Sequence, residues 1–201
     1  ASAVSVTVAG AVKLWLAPGL VRLTVGGRLP WTVRSCAALM VVAPALSELL
    51  QAVVWPSDLT TPQGAHLVIR ESTHRFSPLS FHRAMVGQTM PMLLTAAGRA
   101  FLAACPDDQR EEILQLVRAG DDDQARLAAD ERFVHNVLGR TREQGYGSND
   151  GEWTSQRKVG AIALPIMLNG RPLGAINIVY LNRMVTPREA ERRYLPALQR
   201  D

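Results

Sequence analysis

Two His-Arg pairs, His74-Arg75 and His82-Arg83, bracket Ser77 and Ser80 within the run ESTHRFSPLSFHRAMVG from Glu71 to Gly87. Imidazole and guanidinium groups offer cations and N–H donors, and the serines add hydroxyls. The pattern suits recognition of a carboxylate or a phenolic hydroxyl. The competing reading is a solvated loop whose charge is incidental. A second candidate is MPMLLTAAGRAFLAACP, Met90 to Pro106, where the small residues Thr95, Ala96, Ala97 and Gly98 open an apolar helix. The first turn of a helix leaves backbone N–H groups unpaired at the positive end of its dipole, and small side chains let an anion approach closely. The alternative is that Ala96, Ala97 and Gly98 only let the helix pack tightly on a sheet.

Asn177 falls among Ile176, Ile178 and Val179, where a polar side chain needs a partner. It faces either a pocket or an edge bonded to a neighbouring loop. Trp153, after Gly151-Glu152, reads as an aromatic wall or a packing anchor. His66, His74, His82 and His135 have no metal-ligand spacing and no accompanying carboxylate motif, so neither a metal nor a cofactor is expected. The sequence holds no G-x-S-x-G, no paired carboxylates beside a histidine and no phosphate loop, and the expectation is therefore a protein that is not an enzyme. Two other readings stand beside it: a cofactor-free enzyme using His74 or His82 as base, and an assembly module with a vestigial pocket.

Composition bounds these choices. With 201 residues, 47% hydrophobic and 20% charged, the chain can bury one ordinary core. Its formal charge of +4 is almost all arginine, since Lys13 and Lys158 are the only lysines, and no basic run forms. Charge alone does not argue for nucleic acid. Cys36 and Cys105 fit no redox or metal spacing and read as small apolar residues in a reducing compartment. The longest apolar run, Cys36 to Leu46, is about half the roughly 20 residues a membrane span needs and contains Pro44. Residues 1–17 are apolar but lack the basic start of a signal peptide. The first residue is Ala1 and not Met, which suggests a processed or trimmed product.

The elements that must position these residues are legible in outline. Val21 to Val25 reads as a short β segment closed by Gly26-Gly27. From Leu39, the residues Val42, Leu46, Leu49, Leu50 and Val53 recur at helical spacing, kinked at Pro44, and Leu39, Leu46 and Val53 form a stripe suited to packing on a partner. SDLTTPQG, Ser57 to Gly64, looks like a loop or ragged strand, and His66 to Arg70 like a strand. Asp108 and Glu111 suggest a capping box ahead of Ile113, Leu116 and Val117. A following helix carries Leu127, Val134, Val137 and Leu138 and ends at Gly145. Val159 to Leu168 and Pro172 to Leu181 are apolar on both faces, and Asn169-Gly170 joins them as a hairpin. Thr186-Pro187-Arg188-Glu189 starts a last helix.

Several of these stretches resemble one family. Pro91 to Ala103 (PMLLTAAGRAFLA), Gln144 to Gly147 (QGYG) with Gly151-Glu152 after it, Ile162 to Ile178 (IALPIMLNGRPLGAINI), Glu189 and the closing Leu195-Pro196-Ala197-Leu198 occur in order over residues 39–201. They resemble the effector-binding domain of IclR-type bacterial transcription regulators. VVWPSDLTT, from Val53, and the run from Glu71 look closer to the branch that regulates 3-(3-hydroxyphenyl)propionate breakdown.

The resemblance implies an α+β fold, a GAF/PAS-like curved antiparallel sheet flanked by helices that enclose a metabolite. It implies residues 39–201 as the effector domain and residues 19–38 as the remnant of a winged-helix wing and linker, with Gly19 to Thr24 as the last wing strand. Residues 1–18 are left unassigned and show no helix-turn-helix. It further implies a cytoplasmic sensor without catalysis, an activator of an operon for aromatic or phenylpropanoid acid breakdown. Its partners would be a small aromatic carboxylic acid, a second copy in a homodimer or homotetramer, and operator DNA through a winged helix-turn-helix largely absent from this chain. No membrane is involved. The ligand-binding residues expected are Thr95, Ala96, Ala97, Gly98, His74, Arg75, Ser80, His82, Arg83, Trp153 and Asn177.

Overall fold

The computed structural model describes the backbone at residues 7–8, 12–17 and 20–25, and residues 46–80 and 82–199 with their side chains. The expectations for Gly26-Gly27, Cys36, Leu39 and Pro44 lie outside the described residues. Among the described residues nine strands form one sheet, in the order β1 (Thr7–Val8), β2 (Val12–Ala17), β3 (Leu20–Val25), β8 (Val159–Leu168), β9 (Arg171–Leu181), β4 (Ser57–Gln63), β5 (His66–Ser72) and β6 (Thr89–Pro91), with β7 (Gly147–Asp150) also on β8. Strands β4 to β9 pair antiparallel throughout. The β2–β3 hairpin joins them through a short parallel pairing of Val21–Leu23 with Ile166–Leu168.

The central hairpin β8–β9 turns at Asn169 (φ 50°) and Gly170 (φ 79°), the left-handed pair its sequence requires. Alternation along its two strands separates two cores. Ile162, Leu164, Ile166 and Leu168 of β8, with Ile176, Ile178 and Tyr180 of β9, face a helix over residues 46–53 (α1) and α6 (Pro187–Leu198). The other face is built of small residues, Ala161, Ala163 and Ala175, against α2 (Ala96–Ala104). Alanine on both sides lets α2 come close to the sheet. Each fully buried Leu or Ile on the opposite face contributes roughly 1.5–3 kcal/mol. Three more helices follow α2: α3 (Asp107–Arg118), α4 (Asp123–Ala129) and α5 (Glu131–Gln144).

The structure corrects several expectations. Ser57–Gln63 is a full internal strand, paired with both β5 and β9 and bulged between Leu59 and Thr60; the Asp58 N–H donates to Asn177 and the Thr60 hydroxyl to Ala175 O, which holds this polar run inside the sheet. Leu46 and Val53 do not form a stripe for a partner, because they are buried with Leu49 in the chain's own core. No capping box forms at Asp108: the N-cap of α3 is Pro106, two residues earlier, and Glu111 pairs instead with Arg118 at 2.7 Å. The apolar face from Leu127 to Leu138 belongs to two helices, because Asp130 ends α4 and caps α5 by accepting from the N–H groups of Arg132 and Phe133. By contrast Gly145 (φ 77°) closes α5, and Thr186 with Glu189 forms the full capping box of α6.

Candidate functional site

At the edge of the α2 face the sheet leaves a cavity of about 50 Å³. Its floor and sides come from Asp58 of β4, Asn149 of β7, Val159 and Ala161 of β8, and Asn177 and Val179 of β9, and Thr95 and Ala96 close it at the start of α2. His74, His82, Met85 and Met90, with Trp153 and Gln156, complete the wall. A more open basin of about 470 Å³ lies outside and shares His82, Met85, Met90, Trp153 and Gln156 with it. Those five residues are the partition between solvent and cavity.

The polar end of the cavity is positioned by strand register. Ser57 and Thr73 clamp the start of β4 to the end of β5, through Ser57 N donating to Thr73 Oγ1 (2.8 Å) and Thr73 N donating to Ser57 O (2.9 Å). The next residue on each side is therefore forced together: His74 Nε2 stands 3.6 Å from Asp58 Oδ2. Both residues are buried, at 3% and 1% exposure. On the other flank Asp58 pairs with Asn177, whose Oδ1 accepts from the Asp58 backbone N–H at 2.7 Å. The sequence shows no carboxylate beside a histidine; the fold supplies one. Among the described residues His74 Nε2 and Asp58 Oδ1 have no hydrogen-bond partner.

Ser80 orients the imidazole. Its Oγ lies 2.6 Å from His74 Nδ1 and donates to His82 O at 2.7 Å. A hydroxyl has one proton to give, so donation to the carbonyl makes Nδ1 the donor to Ser80. Serine, histidine and aspartate thus line up without forming an acyl-transfer nucleophile, because the Ser80 proton is committed to a carbonyl and not to the imidazole.

At α2, Thr95 is the N-cap: its Oγ1 accepts from Gly98 N (3.2 Å) and donates to Pro91 O (2.7 Å). Asn149 Oδ1 takes the N–H of Ala96 at 3.2 Å. The expected row of open amides is thus largely engaged by the protein itself. Thr95 and Ala96 line the cavity; Ala97 and Gly98 are packed into the core behind it. A Cβ on Gly98 would lie 2.1 Å from Met92 O, so the glycine is a packing requirement of the helix.

The remaining expected residues separate by depth. His74, His82, Trp153 and Asn177 line the cavity, with Trp153 half-buried and His82 exposed. Asn177 is 3% exposed in a central strand, which removes the edge reading. Ser80 acts one step back, through His74. Arg75 is not at the cavity: it is exposed and its guanidinium lies 4.4 Å above the Phe76 ring. Arg83 reaches only the outer basin and donates to Arg75 O at 3.0 Å. Asp58, Asn149, Gln156, Met85 and Met90 line the cavity without having stood out in the sequence. Asp58 could have been found from its place in a polar run beside the Glu71–Gly87 segment, had that run been read as a strand. Among the described residues no cluster of three or more His, Cys, Asp or Glu is placed to hold a metal, and no helix is long and apolar enough to cross a membrane.

A model of the family described as bacterial transcriptional regulator IclR C-terminal matches residues 32–200. The chain belongs to this family. Among solved structures, the IclR family transcriptional regulator from Brucella abortus is similar at a TM-score of 0.64 and 21% identity over 79% of this chain, which spans 58% of that protein. The Thermotoga maritima IclR matches with a TM-score of 0.65 and 18% identity, covering 84% of this chain and 69% of that one. The inducer-binding domain of a double mutant of the PobR transcription factor from Acinetobacter, in complex with 3-hydroxybenzoic acid, matches with a TM-score of 0.62 and 17% identity over 86% of this chain and 94% of that one. At these identities the likeness carries the fold, the α+β architecture of IclR C-terminal domains with a curled antiparallel half-barrel sheet and flanking helices.

Proposed function

We propose that this IclR-type domain is the sensor of a transcriptional activator for an operon that degrades an aromatic or phenylpropanoid acid, as in the branch acting on 3-(3-hydroxyphenyl)propionate. The effector is a small aromatic carboxylate held in the cavity beside α2. The observation that supports this is the cavity's make-up: Met85, Met90, Val159, Ala161, Val179 and Trp153 give apolar walls for a ring, and a few buried polar groups converge at one end. Asn149 and Asn177 each commit the amide oxygen to a backbone N–H, while their amide nitrogens have no partner among the described residues and can donate to an anion.

The cavity is smaller than the roughly 150 Å³ that accepts benzene in an engineered core. A ring therefore enters by moving the partition toward the outer basin. Methionine at 85 and 90 suits that, having three rotatable bonds and a polarizable end. Occupancy alters function only if the ligand favours one arrangement of subunits or linkers over another. The whole regulator acts in the cytoplasm as a homodimer or homotetramer on operator DNA through a winged helix-turn-helix.

Isothermal calorimetry and thermal melts of the chain with aromatic acids and their primary amides test this. The expected result is saturable binding of at least one acid, without turnover, and much weaker binding of its amide. Turnover of the acid would favour an enzyme, and no binding by any acid would favour a vestigial pocket.

A further inference from the structure

We infer that the buried end of the cavity reads a hydroxyl group: Asp58 and His74 together select an acid that carries an OH at its deep end over the same acid without one. This rests on the cavity being the effector site and goes beyond it by naming the substituent.

The inference follows from proton accounting. With Nδ1 of His74 donating to Ser80, Nε2 faces the Asp58 carboxyl, and a bare lone pair there would confront a bare carboxylate. We place one proton on this pair, as imidazolium with carboxylate or as imidazole with carboxylic acid, so that the two lone pairs do not face each other. The 3.6 Å separation is too long for a hydrogen bond between them. Among the described residues each group is left with a buried polar atom that has no hydrogen-bond partner, Nε2 on one and Oδ1 on the other. In either proton arrangement the pair presents one donor and one acceptor to the cavity.

Few groups complement that. A carboxylate would accept from His74 but repel Asp58. An ammonium would bind Asp58 but meet the imidazolium N–H. A hydroxyl donates to one and accepts from the other. No neighbouring acceptor competes for the hydroxyl proton, since Thr95 Oγ1, Asn149 Oδ1 and Asn177 Oδ1 already accept from the backbone N–H groups of Gly98, Ala96 and Asp58, and the amide nitrogens of Asn149 and Asn177 can only donate. A site built around buried groups that need an OH penalises the analogue lacking it, because removing the OH leaves both partners unpaired.

The test is calorimetry on the 201-residue chain with benzoate, 3-phenylpropanoate and the 2-, 3- and 4-hydroxy derivatives of each on the ring. At least one hydroxylated acid is expected to bind on the order of a hundredfold more tightly than its parent. In Asp58→Ala, with folding checked by circular dichroism, that ratio is expected to fall to about threefold or less. The comparison of ligands needs no variant, so it stands if Asp58→Ala does not fold. If every hydroxylated acid binds within about threefold of its parent, the hydroxyl assignment is overturned while the effector cavity stands. Retention of the full ratio in a folded Asp58→Ala overturns it too, by placing the hydroxyl elsewhere. If no acid of the panel binds, both the aromatic-acid reading and this one fall.

Discussion

Arg99 Nη1 lies 3.1 Å from Glu152 Oε1, joining the helix that closes the cavity to the loop that carries Trp153. The guanidinium is 7% exposed and also holds Ser148 O (2.6 Å) and Leu93 O (2.9 Å). One buried arginine thus ties together α2, the segment before it and the end of β7. Glu152 in turn accepts from the Asp150 backbone N–H and turns at Gly151 (φ 77°), where a Cβ would lie 2.6 Å from Arg157 O. The partition of the cavity is therefore anchored on its Trp153 side.

This contact makes acid stability depend on Glu152. Burial alone would raise its carboxyl, but Arg99 and backbone N–H groups outweigh that and hold it below the ordinary glutamate value. A carboxyl depressed in the folded state stabilises the fold above its unfolded pKa, about 4.3, and that contribution disappears as pH falls through the folded value. Glu152 is half exposed, so screening limits the gain to under about 1 kcal/mol. Thermal melts between pH 7 and 3.5 should show Glu152→Gln less stable than the parent at neutral pH and the gap closing in acid. A gap that stays constant across the range would mean the ion pair does not carry it.

A second prediction concerns the close approach of α2. The Cβ of Gly98→Ala would meet Met92 O at 2.1 Å, and that of Gly147→Ala would meet Ala96 O at 2.1 Å. Both obstacles are backbone, so no side chain can rotate out of the way. Each substitution is expected to cost about 3 kcal/mol or more, at the upper end of overpacking penalties. Urea titration would measure it, and a loss below about 1 kcal/mol for Gly98→Ala would show that α2 can lift from residue 92 without cost.

The Cys105 thiol gives a third. Burial pushes it up to about 12, with Arg110 pulling weakly the other way, so at pH 8 it is essentially all thiol and sealed at 4% exposure. In a Cys36→Ser background, a disulfide reagent should label Cys105 only at the rate of unfolding, and rapidly in denaturant. Rapid labelling of the native protein would show that the α2–α3 junction opens locally.

Much of the frame was legible because it depends on local signals. Asn169-Gly170, Gly145 and the Thr186–Glu189 box are each decided by the backbone chemistry of a few adjacent residues, and each forms as the sequence implies. Polar residues inside the sheet were not legible. Asp58 sits in SDLTT, a run that reads as loop because nothing local reveals that Asn177, 119 positions away, will take its N–H. The partner side of α1 was misread for the same reason: an apolar stripe states that something covers it, not what. At the site, chemistry alone could not rank the histidine-arginine pairs. Arg75 and Arg83 have the stronger charge, but His74 is the residue buried against Asp58, while both arginines are exposed.

The last prediction separates the cavity from that outer charge. Ala96 is fully buried at the cavity wall, its N–H held by Asn149, and three further carbons there would occupy the space a ring needs. A ligand that binds only the native state stabilises it by about 2.7 kcal/mol at a hundredfold excess over its Kd. Ala96→Leu should unfold cooperatively, lose roughly 1–3 kcal/mol from overpacking, and show almost none of the ligand-induced gain. Arg75→Ala should keep that gain in full, because Arg75 lies over Phe76 and not at the cavity. Melts with and without a bound aromatic acid decide the matter: retention of the gain in Ala96→Leu together with its loss in Arg75→Ala would move the binding site to the outer surface around Arg75 and Arg83. The two variants differ in opposite senses only if the ring sits beside α2, so the pair also guards against a loss of stability being mistaken for a loss of binding.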